Sequence, residues 1–363
     1  MNIKDMYKTA YKKSIMTFIF LTSLIIFSGC AGSDAANTDL NVVSAATSYH
    51  TAAPAEKSKD IVIAMVPKSI DNPVFLDAKE EAEKKCKELG IKFEWLGTYQ
   101  SDADEQVMIV ESLIRRRVDG IVISCIDPQK MKVVIDEAIE SGIKVATFDS
   151  DSPYSDRLFY CGTDNYAAGR ACGDALVKEI KARGKSSSEL NVLVMTADII
   201  SLNLNERLKG FSEAADTAGL KLRFTGMLYC NDDINKAGEL LEGYMSNREN
   251  IEKNPVDIFF STGGWPLIVP SDSLPNFQKW CKSGGTSIVV DTFYPILVAA
   301  KKGMADALVG QNFKKMGEAS IMNIYRAIKG ERIEKQFIDT GLELGDKDNY
   351  DLLIQTKEPW EIK

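Results

Sequence analysis

From residue 60 onward, apolar positions follow two alternating periods. Short runs dense in Ile, Val and Phe, at 61–66, 92–96, 120–125 and 144–148, predict strands. The segments between them, at 75–89, 105–116 and 131–141, carry apolar residues at helical spacing. In the first, Phe75, Ala78, Ala82, Cys86 and Leu89 step by 3, 4, 4 and 3. The pattern then restarts, with a helix over 167–181, a strand over 190–195, a helix over 205–218 and a strand over 221–227. Further segments follow at 237–246, 257–261, 274–282, 287–291 and 296–303. Strands alternating with helices predict βαβ units and parallel sheets, and two successive halves of similar size predict an α/β chain of two like domains. The polar stretch over 181–189 reads as a surface loop.

The beginning of the chain has a different pattern. Lys4, Lys8, Lys12 and Lys13 precede an almost unbroken apolar run over 15–27, which ends in Ser28-Gly29-Cys30. A basic stretch, a short apolar stretch and small residues make a secretory signal over 1–29. A cysteine at the cut resembles the bacterial lipoprotein box, in which that cysteine is lipidated and becomes the new N-terminus. Phe27 stands where the box usually carries Leu. The plainer alternative is an ordinary signal peptide with a chance cysteine; a membrane-spanning anchor fits less well, because the apolar run is short. Residues 30–59, rich in Ala, Ser, Thr and Asp, read as a flexible tether reaching on the order of 30 Å.

Charge and rare residues narrow the function. The net charge is −8, which does not suggest a nucleic-acid partner, and Arg115-Arg116-Arg117 reads as the solvated end of a helix. Of the seven cysteines, none forms a CxxC pair, so zinc and redox motifs are absent. Cys86 and Cys125 sit within apolar patterns and read as small core residues. The one histidine, His50, lies in the tether. The globule therefore holds no histidine for a nucleophile or a metal site, and no cofactor is implied.

In an open parallel sheet, ligands bind beyond the C-terminal ends of the strands. The residues there are Lys68 to Pro73 after the first strand, Asp127 after the third, and Asp149 and Ser150 after the fourth. In the second half Asp198, Gly263-Gly264-Trp265 and Asp291 follow strands. Carboxylates and amides pair with vicinal hydroxyls and flat rings cover an apolar C–H face, so this mixture suits a sugar. Each residue also has a local reading. Asp and Asn after a strand cap the next helix, as Asn72 would before Pro73. Phe75 belongs to the helix stripe, and Trp265 follows what reads as an exposed glycine turn. Asp149 and Asp291 are also the types needed for a general acid and base.

From 61 to about 350 the chain resembles the periplasmic-binding-protein type I family, the ribose-binding-like sugar receptors of ABC transporters. The matching stretches are IAMVPKSIDNPVF (63–75), VDGIVISCIDP (118–128), GIKVATFDSD (142–151), YCGTDNYAAGRACGDAL (160–176), NERLKGF (205–211) and VVDTFYPILVAAKKGMADALVGQNFKKMG (289–317), in the family's order. The resemblance implies two doubly wound parallel-sheet lobes joined by a three-strand hinge. The first lobe would hold 60–162 plus 312–337 and the second 163–311 plus 338–363, with crossings near 160–164, Gln311 and 337–340. It also implies ligand positions at Asn72, Phe75, Asp149, Asp291 and Gln311. The departures are Ser150 and Asn205, where ribose-type receptors have Arg, Val74 where they have a stacking aromatic, and Gly263-Gly264 where they have Asn-Asp. Trp265 is the candidate replacement stacking surface. Lys68, with the Phe148-Asp149-Ser150-Asp151 stretch, also resembles receptors for a furanosyl quorum signal.

The expected function is that of a lipid-anchored, monomeric, extracytoplasmic solute-binding protein that captures a monosaccharide or small sugar and delivers it to an ABC permease, without chemistry. A sensor acting on a membrane histidine kinase or chemoreceptor stands as an alternative, and an exported glycoside hydrolase as a remote one. The acidic stretch 346–351 hints at calcium but lacks the glycine and distal glutamate of a calcium loop, so it reads as a terminal turn.

Overall fold

The protein is described by a computed structural model over residues 60–70, 72–184 and 189–359. The expected signal, Cys30 and the tether lie outside the described residues. In chain order the first elements are β1 (Val62–Val66), α1 (Leu76–Leu89), β2 (Lys92–Trp95), α2 (Ala103–Arg116), β3 (Gly120–Ile123), α3 (Pro128–Glu140), β4 (Lys144–Phe148) and β5 (Tyr160–Gly162). There follow α4 (Asn165–Ala182), β6 (Leu190–Thr196), α5 (Leu202–Thr217), β7 (Leu222–Tyr229), α6 (Ile234–Ser246), α7 (Arg248–Lys253), β8 (Ile258–Ser261), α8 (Trp265–Ile268), α9 (Pro275–Lys282), β9 (Thr286–Val290), α10 (Tyr294–Ala299) and β10 (Ala307–Gln311). The last are α11 (Phe313–Ile328), β11 (Phe337–Asp339), β12 (Leu342–Asp346) and α12 (Tyr350–Gln355).

The strands form two six-stranded sheets, in the orders β11-β5-β4-β3-β1-β2 and β12-β10-β9-β8-β6-β7. All the pairings are parallel except that of β10 with β12. The inner strands are apolar on both faces and need cover on both. In the first sheet, Ile63, Met65 and Val122 enter one core with Ala78, Ala82 and Ile321, while Ala64, Val66, Ile121 and Ile123 enter another with Val110, Leu113 and Met131. Alternate residues of one strand thus feed two cores, as the period of two requires. Helix starts are fixed by side-chain caps: Asp102, Asp127, Asp164, Asp233 and Asn312 accept from backbone N–H groups at the starts of α2, α3, α4, α6 and α11.

The chain passes between the sheets three times. β5 belongs to the first sheet, whereas the following α4 packs on β9 and β10 of the second. β10 belongs to the second, whereas α11 packs on α1, β3, β4 and β5. β11 returns to the first sheet and β12 to the second. β11 pairs with β5 through Asp339↔Gly162, so the first sheet extends two residues past the boundary expected at 337. Helical periodicity over 296–303 does not yield one helix. α10 ends at Ala299 and a wider turn follows, with Gly303 in the left-handed region at φ 85°.

Candidate functional site

The C-terminal ends of the two sheets face one another across a cavity of about 330 Å³, open mouth included. It draws Lys68, Asn72, Phe75 and Asp149 from the first sheet's loops, and Asp291, Trp265 and Gln311 from the second's. These seven candidates are therefore brought together. Asn205 is not: it lies on α5 between the lining residues Leu204 and Arg207 but does not itself line the cavity, and its Nδ2 donates to the Ile199 carbonyl at 3.0 Å. Ser150 lies behind Asp149, fully buried, its carbonyl accepting from Cys125 N at 2.9 Å.

Local structure separates capping acids from the others. Asn72 caps the one-turn helix that follows it, its Oδ1 accepting from Val74 N at 3.2 Å. Asp127 caps α3. Asp149 and Asp291 cap nothing. Both sit in left-handed backbone, at φ 55° and 86°, a conformation that Asp tolerates better than most residues, and both are buried. Asp149 Oδ2 accepts from Ser124 Oγ at 2.6 Å, and its carbonyl accepts from the Tyr160 hydroxyl at 2.9 Å. Asp291 accepts Gly264 N at 3.0 Å on Oδ2 and Gln311 Nε2 at 2.9 Å on Oδ1.

Behind Asp291 a chain of polar groups leads to Arg207, 2% exposed. The guanidinium donates to Asn165 Oδ1 and the Thr262 carbonyl, each at 2.9 Å, and to Gln311 Oε1 at 2.6 Å. Burial raises the Asp291 carboxyl above its ordinary value, and Arg207, Gln311 and Gly264 N oppose that rise. Arg207 thus orients Gln311, and Gln311 orients Asp291.

Lys68 spans the cleft. Its ammonium donates to Ser201 Oγ at 3.0 Å and Asn203 Oδ1 at 3.1 Å, both at the start of α5 on the opposite side. Phe75 meets Phe148 and Phe313 edge to face, with centroids 6.1 and 5.7 Å apart. The expected exposed turn at Gly263-Gly264 is instead buried, and so is Trp265, at 4% exposure. A Cβ on Gly263 would lie 2.5 Å from the Trp265 ring, so only glycine lets the indole fold back over its own chain. The indole N–H donates to Asp232 Oδ1 at 2.9 Å.

Sequence reasoning missed Asp232, Asn203, Arg207 and Phe313, which also line the cavity. Asn203 and Arg207 lie four residues apart among Leu204, Leu208 and Phe211, so polar residues inside an apolar helical stripe were their signal. Asp232 stands beside the capping Asp233, and only one of that pair has a local task. Burial pushes the Asp232 carboxyl up to about 6, with Lys68 opposing and Asp198 and Asp149 adding to the rise. No group of three or more His, Cys, Asp or Glu among the described residues is placed to hold a metal ion. In the 346–351 stretch, Asp346 accepts Lys178 Nζ and Asp348 N, each at 3.0 Å.

The description "Periplasmic binding protein domain" matches residues 63–332. The chain belongs to the type I periplasmic binding proteins. This binding protein is 29% identical over 252 residues to a D-ribose/D-allose-binding protein of Pseudomonas aeruginosa, covering 64% of this chain and 76% of that one. It is 27% identical over 296 residues to the ribose import binding protein RbsB of Salmonella typhimurium, covering 82% and 94%. Among solved structures it resembles an ABC transporter solute-binding protein of Burkholderia graminis in complex with D-arabinose, with a TM-score of 0.71 and 27% identity over 81% of this chain and 98% of that one. Two lobes on parallel sheets and a cavity between their strand ends are thus the family's architecture.

Proposed function

We propose that this binding protein captures a sugar between its lobes and delivers it to an ABC permease, held at the outer face of the membrane by a lipid on Cys30. The observation that carries the reading is the convergence of buried carboxylates from both lobes, Asp149 from one and Asp291 from the other, on one cavity. Each accepts hydroxyl hydrogen bonds, so a polyol bridges the lobes and the closed form gains the differential affinity. Asn72 and Gln311 add amide contacts, and Phe75 and Trp265 supply apolar walls for ring C–H groups. Lys68 supplies a cation beside the hydroxyls and joins the lobes directly. The role is binding without bond cleavage: the described residues contain no histidine, and Asp291 is already engaged by Gly264 and Gln311.

A thermal-shift panel of pentoses, hexoses and their disaccharides on the full-length protein tests this. At least one sugar should raise the midpoint by several degrees at a large excess over Kd, and no shift with any saccharide would overturn the reading. The anchor is tested separately, since Cys30→Ala should release the protein from cells into the medium.

A further inference from the structure

Asp232 is shared between the cavity at the strand ends and a second, larger pocket between the lobes, about 1650 Å³ with its open mouth included. One wall is the loop after β2, with Tyr99 and Ser101, and the other is the loop after β7 with Asn231 and the first turn of α6 with Asn235. β2 and β7 are the edge strands farthest from β5, β11, β10 and β12 in their sheets. This outer pocket is therefore at the mouth of the cleft, away from the hinge.

Three features mark it as built for a ligand. Asp232, 8% exposed, has one oxygen on the Trp265 indole, while Oδ2 has no partner among the described residues. Ser101 Oγ is likewise buried without a partner among them. Buried acceptors and hydroxyls without partners are costly, and both of these line the outer pocket. Tyr99 is 67% exposed and lines the pocket, so its ring face is open to a ligand. Its carbonyl accepts from Ser69 Oγ at 2.8 Å and Thr98 Oγ1 donates to the Lys68 carbonyl at 2.7 Å, which ties this loop to the inner cavity. Of the acids at the rim, Asp102 and Asp233 are already occupied as helix caps, and Glu105 and Lys236 add one charge of each sign, so a ligand meets an acceptor, a hydroxyl, amides and a ring on a surface with no net excess from that pair.

We propose that the outer pocket is a second sugar subsite and that the ligand is a disaccharide or longer glycoside, with its inner unit in the closed cavity, Asp232 at the junction and its outer unit against Tyr99. This rests on the sugar-binding reading above. Calorimetry on the full-length protein with cellobiose, maltose, xylobiose and lactose, each beside its parent monosaccharides, tests it. At least one disaccharide should bind about tenfold tighter than its monosaccharides. Tyr99→Ala should bring that ratio close to one, and because Tyr99 is exposed its truncation leaves the core intact. Asp232→Asn should lower disaccharide affinity more than monosaccharide affinity. Monosaccharides binding as tightly as every disaccharide, or a ratio unmoved by Tyr99→Ala, would overturn the outer subsite and leave the sugar reading standing. Binding of no saccharide would overturn both.

Discussion

Asp232 shows how a single carboxylate couples site and stability. Its carboxyl is raised from an ordinary 3.8 to about 6 by burial, so the folded state holds the proton more tightly than the unfolded one. Its contribution to stability is full below 3.8 and is lost as pH rises through about 6, leaving a penalty on the order of 2–3 kcal/mol at neutral pH. Asn keeps an acceptor for the Trp265 N–H and carries no charge. Asp232→Asn should therefore raise the melting midpoint of the sugar-free protein at pH 7.5 and change it little at pH 4. Equal shifts at both would show that charge burial is not the cause. Asp149 gives the complementary case, because its carboxylate accepts from only one described side-chain donor, Ser124. Asp149→Asn should cost sugar affinity roughly tenfold to a hundredfold, the scale of a hydrogen bond to a charged group, as read by calorimetry.

At the scale of elements, the site depends on the crossing of α4 and α5. A Cβ on Gly210 would lie 2.2 Å from the Tyr166 carbonyl oxygen, so the helices touch backbone to backbone, and α5 carries Asn203 and Arg207 into the cavity. Gly210→Ala should destabilise the fold by about 3 kcal/mol and weaken sugar binding. A variant that melts as the parent does would show that the helices part without cost. The same elements show what the sequence makes legible. The βαβ alternation, the apolar stripes of α1, α2 and α3, and the strand-end positions of Asp149, Asp291, Asn72 and Phe75 are written in local periods and turn residues. β11 and β12 are not, because short, half-exposed strands have too little periodicity to read. Asp232 and Arg207 come to the cavity by tertiary placement, and local pattern distinguishes them only as polar residues without a local partner. Trp265 was legible as a candidate, but its burial depends on how the Gly263 backbone turns beneath it.

At the scale of the molecule, six thiols among the described residues stand unpaired, five of them buried. Burial pushes Cys86 up to about 12 and Cys161 to about 11, which keeps both as inert thiols at neutral pH. Among the described residues no disulfide joins the elements, and the crossings between the sheets impose an order on assembly. The first sheet is completed by α11 and β11, which the chain reaches only after β10. A fragment of residues 60–162 holds β1 to β5 but lacks the helix that covers α1, β3, β4 and β5, so it should give no cooperative melting transition in calorimetry. A sharp transition from that fragment would show the first lobe to be self-sufficient. In time, the same topology means that a chain emerging N-terminus first presents an uncovered apolar sheet face until nearly its whole length has passed. The first lobe to be made is among the last to be finished, and the interval between the two is when the chain most needs shelter from its neighbours.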